Sequence, residues 1–254
     1  VNDELLLSDF HIHTRYSDGS LPLRDVVDLF GRSGHDVIAI TDHIVERRSL
    51  LGKAARLLRR TLTPELAREY FEEIRFEARR AWEAYRMVVI PGAEITRNAF
   101  HPNASAHILA LGITEYLPAE GSPLQILKEI RRRGAVSVAC HPHRMKEWIS
   151  NTMYLWNRRE RLSRYIDRWE VACRWDLFHP VLRARLPGLA NGDLHEPSHL
   201  YAWKTLVEAP REAGPVLETL RGPARLQRVF LAPEPRPRFA PAPQLALNLR
   251  SAAP

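Results

Sequence analysis

The sequence predicts an α/β barrel. Two observations carry that reading: apolar strand-like runs alternate with amphipathic helical segments through roughly 230 residues, and histidines and acidic residues recur where the apolar runs end. Residues at the C-terminal ends of barrel strands ring one mouth, where such folds build their sites. The composition agrees: 254 residues, 45% hydrophobic and 26% charged, is that of a globular chain and excludes a disordered one. No apolar run approaches the ~18–20 residues that span a bilayer, so no membrane partner is expected.

Residues 5–13 read as the first strand. A helix follows, with Ser20 its expected N-cap, Pro22 in its first turn, and Leu23, Val26, Val27 and Phe30 on one face. Gly31 and Gly34 are expected to stop it. The second strand, residues 36–41, runs into Asp42-His43, and strand, helix and strand together make one βα unit of a parallel sheet. A helical insertion is expected over about 45–86; its second half opens at Thr63-Pro64 and carries Leu66, Tyr70, Ile74, Ala78, Trp82 and Tyr85 as a stripe. Strands are predicted at 87–90 and 107–111, then a helix opened by the Ser122-x-x-Gln125 capping box and closed at Gly134. Further strands at 135–139, 169–173, 189–190 and 205–207 precede a last helix over 216–221. Six of the 19 prolines fall in the last 23 residues, so 1–231 is read as the barrel and 232–254 as an extended tail.

Cys140 and Cys173 are too few for a disulfide framework and read as buried, inert thiols. The opening Val1-Asn2-Asp3-Glu4 lacks the basic-then-apolar pattern of a signal peptide, and a cytoplasmic setting is expected. Net charge is +7, and all of the 37 basic residues except Lys53, Lys128, Lys146 and Lys204 are arginine. Arginine suits phosphate, although composition bias produces the same surplus.

His11 and His13 end the first strand and His43 the second, while Glu94 follows the 87–90 strand through Pro91-Gly92-Ala93. His141 follows 135–139, and Asp193 and His195 follow 189–190; His107, which opens a strand, fits least well. A single His-x-His pair looks like two solvated histidines in a loop. Imidazoles and carboxylates converging on one mouth suit Zn, Mn or Fe.

The residues that carry a resemblance are Asp9-Phe10-His11-Ile12-His13-Thr14 with Ser17-Asp18-Gly19, Ile40-Thr41-Asp42-His43, Pro91-Gly92-Ala93-Glu94, Ala106-His107-Ile108-Leu109, His141-Pro142 and Gly192-Asp193-Leu194-His195. In this order the chain resembles the PHP (polymerase and histidinol phosphatase) family of metal-dependent phosphoesterases over about residues 5–225. The resemblance implies a distorted (β/α)7 TIM-like barrel of PHP type, with the helical insertion after its second strand and two or three divalent ions (Mn, Zn or Fe). His11, His13, Glu94 and Asp193 would hold the first ion. Glu94 with His107 and His141 would hold the second, and Asp18, His43 and His195 the third. It further implies phosphoester hydrolysis by a metal-bridging hydroxide, with no nucleophile from the protein. Asn191-Gly192-Asp193 departs from the family's frequent Gly-Ser-Asp and removes a serine hydroxyl.

Arg144, His143 and His199 are the candidate substrate contacts, Arg144 first because its fork matches phosphate oxygens. Asp9 and Asp42 are expected to orient ligand imidazoles. His35, His101 and His179 read as structural or exposed. The run Arg47, Arg48, Lys53, Arg56, Arg59, Arg60 is the chief nucleic-acid candidate, with a solvated helix face as the plainer reading. Trp148, Tyr154 and Trp156 would stack a base or fill the core. The expected partner is a phosphorylated small molecule, or a nucleotide or oligonucleotide end. A non-catalytic metal-binding domain is the alternative class.

Overall fold

The computed structural model describes residues 3–99, 101, 103–144 and 152–233, so the expected tail beyond 233 and Trp148 lie outside the described residues. Strand β1 (Glu4–Asp9) exposes Leu5 and buries Leu6, as a period of two dictates. Helix α1 (Leu23–Arg32) buries Leu23, Val26, Val27 and Phe30. After β2 (Val37–Ile40) and β3 (His43–Val45) come α2 (Leu50–Leu57) and α3 (Pro64–Tyr85). Thr63 caps α3, Pro64 opens it, and Arg86, in the left-handed region at φ 55°, ends it. Strands β4 (Val88–Arg97) and β5 (Ala106–Leu111) lead to α4 (Pro123–Arg132), opened by the Ser122/Gln125 capping box, and then to β6 (Val136–Ala139). Short helices α5 (Tyr154–Asn157) and α6 (Arg159–Leu162) precede β7 (Arg168–Cys173), β8 (Asp176–Leu177), α7 (His179–Arg183) and β9 (Gly188–Asn191). The described chain closes with β10 (Trp203–Ala209), α8 (Ala213–Arg221) and β11 (Gln227–Phe230).

All the strands join one mixed sheet in the order β11-β10-β1-β2-β4-β5-β6-β7-β8, with β3 on β4 and β9 on β7. The sheet curls into a half-barrel, as in TIM-like folds. Beyond β1 and β9 the chain meets itself: the His13 N–H donates to the Leu194 carbonyl (2.9 Å) and the Leu194 N–H to that of His11 (3.1 Å). Leu6, Val37, Ala39, Val88, Ile90, Leu109 and Val138 fill the concave side, closed at one end by Val216 and Leu220 of α8. Helices α1, α3 and α4 cover the convex side. The buried Arg168 guanidinium donates to the carbonyls of Thr219, Leu220, Gly222 and Ala224, which the end of α8 leaves without helical partners. Among the described residues no helix is long and apolar enough to cross a membrane.

Several local expectations are corrected. Ser20 is not the N-cap of α1. Pro22 precedes the helix without a side-chain bond, and the Ser20 N–H donates instead to the His195 carbonyl (2.7 Å). Gly31 does not stop the helix but lies inside it, because a Cβ there would fall 2.3 Å from the Tyr85 ring of α3. His43 begins β3 rather than ending β2. Glu94 does not follow a strand; it lies within β4, which changes partner from β2 (Val37–Ile40 on Val88–Pro91) to β3 (His43–Val45 on Glu94–Thr96). Pro91, which has no N–H to give, sits at that change.

The βα alternation is also broken. β5 runs antiparallel to both β4 and β6, because no crossover helix joins β4 to β5. β10 pairs antiparallel with β1, and β11, for which the sequence offers no strong alternation, extends that edge. Between β2 and β4, α3 packs on β4 and α1 as the crossover that a parallel pair requires.

Gly31→Ala should lower the unfolding free energy by about 1–3 kcal/mol through overpacking against Tyr85. Urea denaturation checks this, and an unchanged midpoint would contradict the close approach.

Candidate metal centre

The strand geometry delivers each side chain to the end of the half-barrel away from α8. His11 and His13 flank Ile12 where the chain bridges to Leu194. The loop carrying Asp18 folds back over them: Asp42 accepts from the Thr14 N–H (2.8 Å), the Thr14 hydroxyl (2.8 Å) and the Ser17 hydroxyl (2.6 Å). Gly19 passes so close to the His13 carbonyl that a Cβ would stand 2.4 Å from it. Tyr70 of α3 accepts from the Asp42 N–H (3.2 Å) and donates towards the Gly92 carbonyl (2.9 Å), fixing the break before His43. His107 opens β5, and because β5 is antiparallel its start lies at the same end as the other strands' ends. His141 and Asp193 reach inwards from backbones at φ 27° and φ 51°, the left-handed region that costs non-glycine residues of order 1–3 kcal/mol.

The structure thus brings His11, His13, Asp18, His43, Glu94, His107, His141, Asp193 and His195 into one cluster. Glu94 Oε2 stands 3.3 Å from His11 Nε2 and 3.4 Å from His13 Nε2; Asp193 Oδ1 is 3.6 Å from both nitrogens. Four N/O ligands at ~2.0–2.1 Å from one tetrahedral ion are separated by about 3.3–3.4 Å, so this spacing fits a divalent transition metal. Glu94 Oε1 faces His107 Nδ1 (2.8 Å) and His141 Nε2 (3.6 Å). Asp18 Oδ1 faces His195 Nε2 (3.4 Å), His43 Nε2 (3.5 Å) and His13 Nδ1 (3.8 Å). Among the described residues, buried His11 Nε2, both ring nitrogens of His13 and Glu94 Oε2 have no hydrogen-bond partner, a cost that ligation would remove.

Outer partners commit the other ring nitrogens as donors, an assignment that follows from the acceptors present. His11 Nδ1 donates to Glu170 (2.9 Å) and His107 Nε2 to Asn98 (2.9 Å). His141 Nδ1 donates to the Thr152 hydroxyl (3.1 Å) and His43 Nδ1 to that of Thr96 (2.7 Å). The remaining lone pair of each of these four rings is left towards the cluster, while His195 Nδ1 lies between an acceptor, the Asp193 carbonyl (3.0 Å), and a donor, the Arg174 guanidinium (3.1 Å). Sequence reasoning missed these partners, and it misplaced the orienting role. Asp42 orders the Asp18 loop instead. Asp9, paired with buried Lys204 (2.7 Å), accepts from the Gly192 N–H (3.0 Å) and touches no imidazole. The signal for Glu170 was a lone acid inside the apolar run Trp169–Cys173. It sits beside a bulge in β7, a device that re-aims side chains.

Electrostatics follow from this packing. Burial opposes charge on His11, yet Glu170, Asp193 and Glu94 hold its pKa well above the ordinary value. Burial and the neighbouring His195 and His43 push His13 down to about 3. His141 falls to about 4 through burial and Arg144, whereas Glu94 and Asp18 outweigh burial to hold His43 up at about 9. Burial would raise Glu94 and Asp193, but surrounding histidines hold both well below the carboxylate range. Cys140 and Cys173 are buried, and burial pushes both thiols up, away from thiolate chemistry.

A cleft of about 200 Å³ opens on the cluster, lined by His43, Glu94, His107, His141, Asp193 and His195 with Arg144, Thr152 and Arg174. Arg144 donates to Asp193 (3.0 Å) and Arg174 to the Asp193 carbonyl (2.8 Å). His143 and His199 are not among the lining residues: His143 packs edge-on against Trp156, and His199 accepts from the His195 N–H (3.1 Å). Trp156 is buried against Trp169, and an arginine, Arg158, covers the Tyr154 ring.

No family model matches the sequence, and no curated protein matches it. Among solved structures, a two-domain protein from Bacteroides vulgatus described as containing a predicted PHP-like metal-dependent phosphoesterase superposes with a TM-score of 0.65 at 20% identity, over 90% of this chain. The chain has a PHP-like fold. It spans 66% of the length of that two-domain protein, just under two thirds. A protein from Bifidobacterium adolescentis assigned as a metal-dependent phosphoesterase (17% identity, 74% of this chain and 87% of that one) superposes with a TM-score of 0.45. So does an amidohydrolase from Chromobacterium violaceum with bound sulfate and no metal (16% identity, 87% of this chain and 97% of that one).

Glu170→Gln should lower the pKa of His11, because the nearest opposing charge is lost while the hydrogen-bond acceptor stays. A histidine NMR titration of metal-free protein reads it directly; an unmoved His11 would remove Glu170 from its proposed setting.

Proposed function

We propose that this protein is a PHP-type metal-dependent phosphoesterase that hydrolyses a phosphate ester at a multinuclear centre. The observation that carries the reading is the spacing of buried, unpartnered N and O atoms around His11, His13, Glu94 and Asp193. On this reading these four hold one ion, Glu94 with His107 and His141 a second, and Asp18, His43 and His195 a third. The curled sheet is then a distorted (β/α)7 barrel occupying residues 1–231, with α2 inserted after its second strand and α3 as the crossover helix to β4. Divalent ions in such a site lower the pKa of bound water and offset phosphoryl charge; imidazole and carboxylate donors suit Mn, Zn or Fe alike.

The chain's own residues supply positioning. Glu170, Asn98, Thr152 and Thr96 fix the ring nitrogens of His11, His107, His141 and His43. Arg144 and Arg174 stand at the cleft wall with donors in a fork that matches phosphate oxygens, and buried Arg174 Nε has no hydrogen-bond partner among the described residues. A cleft of about 200 Å³ encloses a phosphoryl group and leaves the ester's alcohol at the opening. That suits the end of a nucleotide or oligonucleotide. The same small volume equally favours a compact non-nucleotide phosphomonoester as the second reading.

A metal-reconstituted screen over phosphomonoesters, 3′,5′-bisphosphonucleotides and short 5′-phosphorylated oligonucleotides tests the activity. Chelation should abolish hydrolysis and Mn, Zn or Fe should restore it. His11→Ala and Asp193→Ala should each lose activity at least a hundredfold with circular dichroism unchanged. Full turnover by a verified metal-free preparation would refute the mechanism.

Metal affinity should also depend on pH. His43, held up at about 9, and His11, held well above its ordinary value, must lose protons to ligate. The apparent affinity for Mn should therefore rise as pH climbs from neutrality to about 9, and titration of metal-free protein at several pH values checks the sign.

A further inference from the structure

The run of cations between β3 and α3 takes a form that the proposed hydrolysis does not use. From Arg47 to Thr63 the sequence holds six basic residues and no acidic one. Arg47 pairs with Glu120 (2.8 Å), whereas Arg48, Lys53, Arg56, Arg59 and Arg60 form no ion pair among the described residues. Helix α2, in the middle of this run, turns only Gly52 fully inwards, with Leu51 and Ala55 half-buried. Its other face is apolar and open. Leu50, Ala54 and Leu57 recur at i, i+4 and i+7, and Leu50 is 71% exposed, Leu57 85% and the capping Leu58 63%.

We propose that α2 is an interfacial helix that docks this protein on an anionic phospholipid bilayer. An exposed leucine stripe bordered by unpaired cations is the pattern of a segment lying in the headgroup region. There the leucines enter the acyl boundary while long basic side chains reach back to phosphates. A nucleic-acid surface accounts for the cations alone. It would leave three leucines exposed, and no aromatic residue between 47 and 63 is present to stack a base. An eight-residue helix offers far less than the ~800 Å² per partner of a stable protein interface, and a second copy would bring like charges together. The excursion is pinned at its base, with the Val45 N–H donating to Thr61 (2.9 Å) and the Leu62 N–H to the His43 carbonyl (2.7 Å). Docking through α2 therefore holds the cleft, which His43 lines, beside the membrane surface. The absence of a membrane partner expected from the sequence is revised here on the exposure of the leucines.

Co-sedimentation of the full chain with large vesicles tests the proposal by binding alone, independently of any hydrolytic activity. Vesicles of three parts phosphatidylcholine to one part phosphatidylserine should pellet the protein at least tenfold more strongly than phosphatidylcholine alone, and high salt should release it. Leu50→Ser with Leu57→Ser and Leu58→Ser should weaken pelleting at least tenfold, as should Lys53→Glu with Arg56→Glu, both with circular dichroism unchanged. The proposal is overturned by equal pelleting with both lipids, or by pelleting that survives the leucine variant. Retention of a 5′-phosphorylated oligonucleotide that the charge variant loses and the leucine variant keeps would assign the run to nucleic acid instead. A dimer dissociated by the leucine variant, without vesicle binding, would assign it to a second copy.

Discussion

Glu94 is a carboxylate with no exposed surface, and five imidazoles face it: His107 at 2.8 Å, His43 at 2.9 Å, His11 at 3.3 Å, His13 at 3.4 Å and His141 at 3.6 Å. Burying such a charge alone costs several kcal/mol, and only a surrounding set of partners offsets it. The departures from a regular strand–helix alternation serve that burial. β4 changes partner at Pro91, which lets β3 set His43 beside Glu94. β5 reverses and brings His107 to the same end as the others. His141 and Asp193 take up left-handed backbone to complete the ring.

Around this centre lies a layer of groups that hold either the histidines themselves or the backbone that presents the ligands. Glu170 joins three parts of the chain, accepting from His11, from Asn191 (2.8 Å) and from the His141 N–H. Asp9 and Lys204, both fully buried, tie β10 to the Gly192 turn that presents Asp193. A buried pair of this kind does little for net stability. Its consequence here is geometric: the turn before Asp193 has one hydrogen-bonded arrangement. At the opposite end α8 seals the apolar interior, held by the four carbonyl bonds of Arg168.

The arginine surplus has no single meaning. Arg168 is buried and spent on backbone carbonyls, Arg144 and Arg174 brace Asp193 while facing the cleft, and the arginines of the α2 region face outwards beside leucines. Net charge describes all three uses identically. Burial and neighbours separate them.

The sequence by itself determined the order of β1, β2, β4 to β7, β9 and β10 with α1, α3, α4 and α8, and the capping of α3 and α4, because apolar periodicity and local capping chemistry are properties of short segments; β3, β8 and β11 carry too little of either, and the nine side chains of the cluster came as a set from the motifs that resemble the PHP family. Position along a strand was less legible. Glu94 lies inside β4 rather than after it, and the awkward place of His107 became regular only when β5 proved antiparallel, a choice made by the missing crossover helix and by pairing across the sheet. Glu170, Asn98, Thr152 and Arg174 were invisible as site residues because none stands in a recognisable motif and each meets its partner only through the fold; His11 and Glu170, 159 positions apart, carry no local trace of their bond. Exposure was the other quantity that tertiary structure decided. The leucines of α2 have the spacing of a core stripe, and only the packing of Gly52, rather than Leu50 or Leu57, against the chain behind it turned that stripe towards solvent.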